Sequence, residues 1–211
     1  MALTIAILAG GAATRLGGRD KGLELLLGRP LVAWSLDAAS AMAPAAVLVI
    51  ANRHLDDYAK YAPTIRDAVR THPDCTQAMA ECVDARQARY SGPLAGVATA
   101  LAACATPWLL TLPVDCPDPP RELATRLSAF AAEASCDAVV AHDGERRQPL
   151  FALYRRELAV SAAAAAARGQ GPYGWQDAIG ARELDFADRR AQFRNLNTPE
   201  DFAAHAARFA R

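Results

Sequence analysis

The chain has 211 residues, with 23 Lys plus Arg against 23 Asp plus Glu and a formal net charge of zero. That length fits one domain with a substantial buried core. Balanced charge without a basic block excludes a general nucleic-acid binder, which needs clustered cations on the phosphates, and no apolar run is long enough to span a bilayer.

The chain opens with Ile5-Ala6-Ile7-Leu8, an apolar run that ends in Ala9-Gly10-Gly11. This predicts a buried strand feeding a tight loop. Glycines let a backbone approach a phosphate or a base and aim N–H groups at it. Arg15 and Lys21 add a flat cationic fork and a point charge to the same loop. Lys21 and Lys60 are the only lysines among the 23 basic residues, so position 21 has kept an ammonium against a strong bias to Arg. The loop is neither G-x-x-x-x-G-K-[ST] nor G-x-G-x-x-G.

A helix is expected from Pro30 to Ala41, a strand over Val47–Ala51 and a second helix over His54–Ala62. Residues 63–80 read as an insertion into a single domain spanning 1–211. Glu81–Asp84 reads as a short strand ending in an acid, and Gly92–Ala103 as a helix. Trp108–Pro113 reads as a buried strand followed by Val114-Asp115, then a helix over Pro120–Ala134. Strands are expected over Cys136–His142, Leu150–Tyr154, Leu184–Phe186 and Arg194–Leu196, and a helix over Glu157–Ala167. Thr198 is a suitable N-cap for a last helix, Pro199–Arg208. Apolar strands alternating with helices mean α/β with a mostly parallel sheet. Ligands bind at the carboxyl ends of such strands, so the loops after Leu8, Ala51, Val83 and Pro113 should face one cleft.

Asp115 sits just past a buried strand, where a carboxylate can hold Mg²⁺ together with phosphate oxygens; a turn-forming Asp before prolines is the plainer alternative. Asp84 is placed to touch a nucleotide or merely to end its strand. Asn195 and Asn197 bracket Leu196 at strand spacing, which turns both amides to one side. The four histidines are scattered without ligand spacing, and no Ser/His/Asp pattern is present. The five cysteines are odd in number and lack a C-x-x-C pair, so free thiols in a reducing compartment are expected. No basic, cleavable leader opens the sequence, and the cytoplasm is the expected location.

Leu8-Ala9-Gly10-Gly11, Arg15-Leu16-Gly17-Gly18 and Asp20-Lys21 together resemble the LAGG-x-x-x-R-[ML]-GG-x-DK signature of the molybdenum cofactor guanylyltransferases, the MobA-type nucleotidyltransferases. The resemblance continues in Ala51-Asn52-Arg53-His54, Ser91 to Gly96, Leu112 to Pro117, Asp143 to Arg146 and Asn195 to Asp201. It implies a three-layer Rossmann-like fold with a mostly parallel twisted sheet. It implies transfer of GMP from GTP to molybdenum-bearing molybdopterin, with Mg²⁺ as cofactor and pyrophosphate as the second product. By match, Leu8, Ala9, Gly10, Gly11, Lys21, Asp84 and Asp115 would bind the nucleotide. Arg15, Lys21 and Asp115 would be catalytic, Asp115 would hold the metal, and Asn195 and Asn197 would meet the pterin. A molybdenum-insertion protein and apo-molybdoenzymes or their chaperones would be partners, and a monomer is expected. Three departures stand out. Residues 63–80 run longer than the family pattern. Ile50 occupies a position where the family often has Asn, and Gln170 to Trp175 lacks the family's basic pair. A same-fold enzyme using CTP or a sugar phosphate and a non-catalytic cofactor-delivery protein are the competing readings.

Overall fold

A computed structural model describes residues 1–9, 20–67 and 92–209. The first half runs β1 (Leu3–Leu8), a 3-10 turn at Lys21–Leu23, β2 (Leu25–Leu26), β3 (Arg29–Pro30), α1 (Leu31–Ala41), β4 (Ala46–Ala51), α2 (Leu55–Ala59) and β5 (Thr64–Arg66). The second runs α3 (Gly92–Ala103), β6 (Trp108–Pro113), α4 (Leu123–Glu133), β7 (Ala138–His142), β8 (Arg147–Arg155), α5 (Ala159–Ala167), α6 (Pro172–Ala178), β9 (Arg182–Asp185) and α7 (Pro199–Phe209). Among the described residues, seven strands form one sheet in the order β5-β4-β1-β6-β8-β7-β9. Only β8 runs against its neighbours, β6 and β7; the other pairings are parallel.

The opening strand sits near the centre of this sheet because every side chain in it tolerates burial. Ile5 and Ile7 face α1 and α4, in one core with Val32, Leu123 and Leu127. Ala6 faces the opposite layer, where Leu94 and Leu101 of α3, Ala162 of α5 and Trp175 of α6 pack. This is the period-two alternation of a strand covered on both faces. Burying each isoleucine contributes about 1.5–3 kcal/mol. The alanine enrichment serves the second layer: α3 and α5 meet through Ala95, Ala98, Ala162, Ala165 and Ala166, small side chains in the same buried cluster.

The register brings the site loops level. Leu8 pairs with Ile50 on one side and Pro113 on the other. Ala9 N–H then donates to Ile50 O at 2.8 Å, and Val114 N–H to Leu8 O at 3.1 Å. The chain therefore leaves β1, β4 and β6 at one rim.

Several sequence expectations shift. Thr64–Arg66 is an edge strand parallel to β4, so the segment read as an insertion from 63 begins inside the sheet; 68–80 and the expected strand at 81–84 lie outside the described residues. Helix α4 starts at Leu123 rather than Pro120, because Leu123 N–H first closes a turn on Pro120 O. The helix expected from Glu157 begins as a 3-10 turn at Arg156–Leu158. Residues 194–196 pair with no strand among the described residues. Helix α6 was not anticipated, although Pro172, Trp175 and Gln176 are its buried face.

The β2–β3 hairpin was also missed, and its turn explains why. Leu27 and Gly28 both have positive φ, +52° and +78°. That two-residue geometry suits Asn-Gly, and a Leu in the left-handed region costs about 1–2 kcal/mol. The Leu27 side chain is 53% exposed and gains little in return. Leu27→Asn is expected to raise the thermal midpoint by about 2–4 °C; an unchanged or lower midpoint would show that this leucine makes a stabilising contact.

Candidate functional site

Three distant segments meet on the Lys21 ammonium. Its Nζ donates to Asp115 Oδ2 at 2.7 Å and also to Asn197 Oδ1. Lys21 and Asp115 are mostly buried, with side chains 16% and 18% exposed. The other carboxylate oxygen, Asp115 Oδ1, is buried and has no hydrogen-bond partner among the described residues.

Each of the three side chains is held by its own local device. Lys21 lies between Asp20 and Gly22. Asp20 Oδ1 accepts from Gly22 N–H at 3.2 Å and from the Tyr58 hydroxyl of α2. Gly22 is buried against that hydroxyl, and an added Cβ would collide with it. Burial, then the Asp20 carboxylate, pushes the Tyr58 phenol far up, so it stays a donor. Asp115 follows β6 by two residues, and its carbonyl accepts from Leu196 N–H at 2.8 Å. The Leu196 side chain is buried with Leu26 and Leu31, against Trp34 and Phe202. Asn197 is set by the cap of α7. Asp201 Oδ2 accepts from Asn197 N–H and Thr198 N–H, both at 2.9 Å, while Thr198 Oγ1 accepts from Asp201 N–H at 3.2 Å. This is a reciprocal cap with the acid three residues into the helix. Those backbone donors, Asn197 first, hold the Asp201 carboxyl below its usual range.

Asn195 and Asn197 line one polar cavity of about 820 Å³, with Asp143, Arg146, Arg190 and Arg194 among its walls. The volume falls within the range of cofactor-sized pockets. Asn195 and Asn197 thus line one space, although no strand forms across Leu196. Leu8 and Ala9 stand at the carboxyl end of β1, also as expected. Gly10, Gly11, Arg15 and Asp84 lie outside the described residues.

Sequence reasoning overlooked Asp67. Its N–H donates to Ala51 O at 2.9 Å, just past β5. Its carboxylate points to Gly96 of α3: the place where a Gly96 Cβ would stand is 3.5 Å from Asp67 Oδ2 and Leu8 Cδ2, and 3.8 Å from Ile50 Cγ2. Thr99 Oγ1 donates to Asp67 Oδ1 at 3.4 Å. Burial raises the Asp67 carboxyl above its ordinary range, against hydrogen bonds from Thr99 and Asn52. Asp67 is a partly buried acid just past β5, and its raised carboxyl beside Gly96 and Thr99 makes it a candidate site residue. The available signal was an acid directly after the Thr64-Ile65-Arg66 run. Cys116, beside Asp115, is no nucleophile: it is buried, its thiol donates to Gln192 O at 3.1 Å, and burial pushes it well up.

The donor set suits Mg²⁺ in one way only. Among the described residues no three His, Cys, Asp or Glu side chains cluster as a cage. Asp115 instead offers one buried, unpartnered oxygen. That fits an ion that brings phosphate oxygens and water and needs one or two carboxylates from the protein.

Residues 5–183 match the family model described as the MobA-like NTP transferase domain. The chain belongs to this family. A Vibrio cholerae protein named molybdenum cofactor guanylyltransferase is 36% identical over 202 residues, covering 95% of this chain and 90% of that protein. A Serratia proteamaculans protein of the same name is 37% identical, with 94% and 91% coverage. Among solved structures, molybdopterin-guanine dinucleotide biosynthesis protein A from Archaeoglobus fulgidus superposes with a TM-score of 0.73 at 20% identity, covering 98% of each chain. A 2-C-methyl-D-erythritol 4-phosphate cytidylyltransferase from Thermus thermophilus superposes at 0.66 with 18% identity over the whole of both chains. These establish the Rossmann-like nucleotidyltransferase fold of the MobA-like family for this chain. No helix among the described residues is long and apolar enough to cross a membrane.

A carboxyl group whose folded-state value is raised costs stability above the unfolded range and nothing below it. Asp67→Asn is therefore expected to raise the thermal midpoint at pH 7. The gain should fade as pH drops through the carboxylate range, where both states of the wild type take up the proton. Thermal unfolding from pH 3 to 8 measures this; a loss of stability at pH 7 would contradict it.

Proposed function

We propose that this chain is a molybdenum cofactor guanylyltransferase. It transfers GMP from GTP to molybdopterin and releases pyrophosphate. The observation that carries this reading is the Lys21 ammonium shared by Asp115, at the nucleotide rim, and Asn197, on the wall of the polar cavity. It joins two compartments at the point where an acceptor phosphate must meet a nucleotide. The names of the relatives supply the identities of donor and acceptor.

In this reading the nucleotide lies along the carboxyl ends of β1, β4 and β5. By sequence match Leu8, Ala9, Gly10, Gly11 and Asp84 would bind it, and Asp67 would add an acid at the same rim. The acceptor's terminal phosphate enters from the cavity past Asn195 and Asn197. One of its oxygens bonds to the α-phosphorus of GTP as the bond from that phosphorus to the β-phosphate oxygen breaks. The nucleophile is already an anion, so the chain needs no general base. It has to align three charged groups and offset their repulsion. Lys21 and Arg15 do so from one loop, and Asp115 would hold Mg²⁺ through its free oxygen. A bound Mg²⁺ supplies charge neutralisation and polarises the phosphate it touches.

The decisive assay supplies purified chain, Mg²⁺ and molybdopterin with GTP, CTP or ATP in turn and identifies the product. The guanine dinucleotide and pyrophosphate are expected with GTP; a product only with CTP, or with none, would overturn the reading. Lys21→Ala is expected to lower kcat by about 10²–10³-fold while the chain stays folded by circular dichroism. Asp115→Asn is expected to shift the Mg²⁺ titration of activity to higher concentration. An unchanged midpoint would place the ion elsewhere.

A further inference from the structure

The polar cavity beside Asn195 and Asn197 is lined by three carboxylates, Asp143, Glu145 and Asp188, and three guanidiniums, Arg146, Arg190 and Arg194, which are unevenly paired. Its carboxylates are already engaged. Asp143 Oδ1 accepts from Glu145 N–H and Arg146 N–H, both at 2.9 Å, and Asp143 Oδ2 accepts from Gln148. Glu145 is paired with Arg190. Asp188 is paired with Arg126 at 3.1 Å and Arg189 at 3.3 Å. Two guanidiniums on the walls, Arg146 and Arg194, have no carboxylate within salt-bridge distance among the described residues. Asp143 and Asp201 feel them only at longer range.

Both arginines sit on rigid supports. The Asp143 carboxylate fixes the backbone of Arg146 directly. Arg194 lies between Phe193, which packs edge-on to Phe151 at 5.0 Å, and the segment pinned by Leu196. Arg194 is three positions from Asn197, a backbone span of at most about 10 Å. Lys21 and Asp115 occupy the Asn197 end. A ligand seated at the Asn197 end therefore comes within that span of Asn195 and Arg194, and Arg146 lines the same cavity. Planar, permanently charged forks without an internal partner are suited to a second anion.

We infer that Arg146 and Arg194 hold an anionic end of the acceptor remote from its reacting phosphate. This rests on the reading of the acceptor as molybdopterin, whose second anionic group is the ene-dithiolate with its bound metal oxide. The arginines are then specificity-determining residues: they favour an acceptor that carries charge at both ends and set its register against the nucleotide.

The test measures binding of molybdopterin to the full chain without nucleotide, by the pterin's fluorescence. Arg146→Gln/Arg194→Gln is compared with wild type and with the Arg146→Lys/Arg194→Lys double variant. The Gln double variant is expected to bind about 10- to 100-fold more weakly, to show a shallower dependence on salt and to keep GTP affinity unchanged. The Lys variant should recover part of the loss. Two altered ligands locate the contact. With both sulfurs alkylated to neutral thioethers, wild type and Gln variant should bind alike. With the phosphate removed, the difference between them should persist. Equal binding of unmodified molybdopterin by wild type and Gln variant would overturn the inference and leave the guanylyltransferase reading standing. So would a difference that survives alkylation and disappears with the phosphate. A wild-type chain that fails to bind molybdopterin would overturn both.

Discussion

A single ammonium between a carboxylate and an amide is the constraint on which the site depends. Lys21, Asp115 and Asn197 come from the beginning, middle and end of the chain, and each is mostly or partly buried. Taking such charges out of water is costly, and the attraction between them repays it only when the geometry is good. The 2.7 Å contact satisfies one oxygen of Asp115 and leaves the other stranded. Asp115 is therefore a carboxylate that requires cations around it. That requirement is a liability in an inert core and an asset where polyphosphate and a divalent ion must be brought together.

The rest of the fold can be understood as what brings these groups into reach. Parallel pairing with level registers delivers Leu8, Ile50 and Pro113 to one rim. The antiparallel strand β8 does something different. It turns back from β7 at Asp143, and the loop so made contributes Asp143, Glu145 and Arg146 to the walls of the polar cavity. The segment from Arg194 to Asn197 then crosses from that cavity to the rim. It is held midway by the Leu196 backbone on Asp115 and by the Leu196 side chain in its own apolar cluster. A leucine between two asparagines is thus an anchor, and the asparagines are what it anchors.

What the sequence disclosed follows from how local the cause was. Asp115 was legible because a buried apolar run ended there, and Asn195 and Asn197 because their spacing and the Thr198–Asp201 cap are matters of adjacent residues. The mostly parallel sheet was legible from strands apolar on both faces. Asp67 was not legible, because its strand has only three residues and its significance comes from Gly96 and Thr99 on another element. Tyr58 reads as one more core aromatic until its hydroxyl is seen to reach Asp20. The β2–β3 turn violates ordinary turn chemistry by placing a leucine where φ is positive, so no local rule could find it. Helix α6 is only two turns long, too short for its buried positions Pro172, Trp175 and Gln176 to stand out as a repeating pattern, and Trp175 packs in the second core layer.

The composition itself finds an explanation at the site. Basic residues in this chain are almost all arginine, and of the two lysines Lys60 is solvated and paired with Asp57 on α2. An arginine at position 21 would present a flat fork, well matched to one carboxylate or one phosphate edge. It could not point separate donors toward partners on different sides. An ammonium has three N–H groups spread in space. Asp115 takes one and Asn197 takes another, and the third remains for a group arriving between them. A point charge that serves a carboxylate, an amide and an incoming anion at once is chemistry that only lysine supplies, and here it outweighed whatever bias replaced lysine elsewhere.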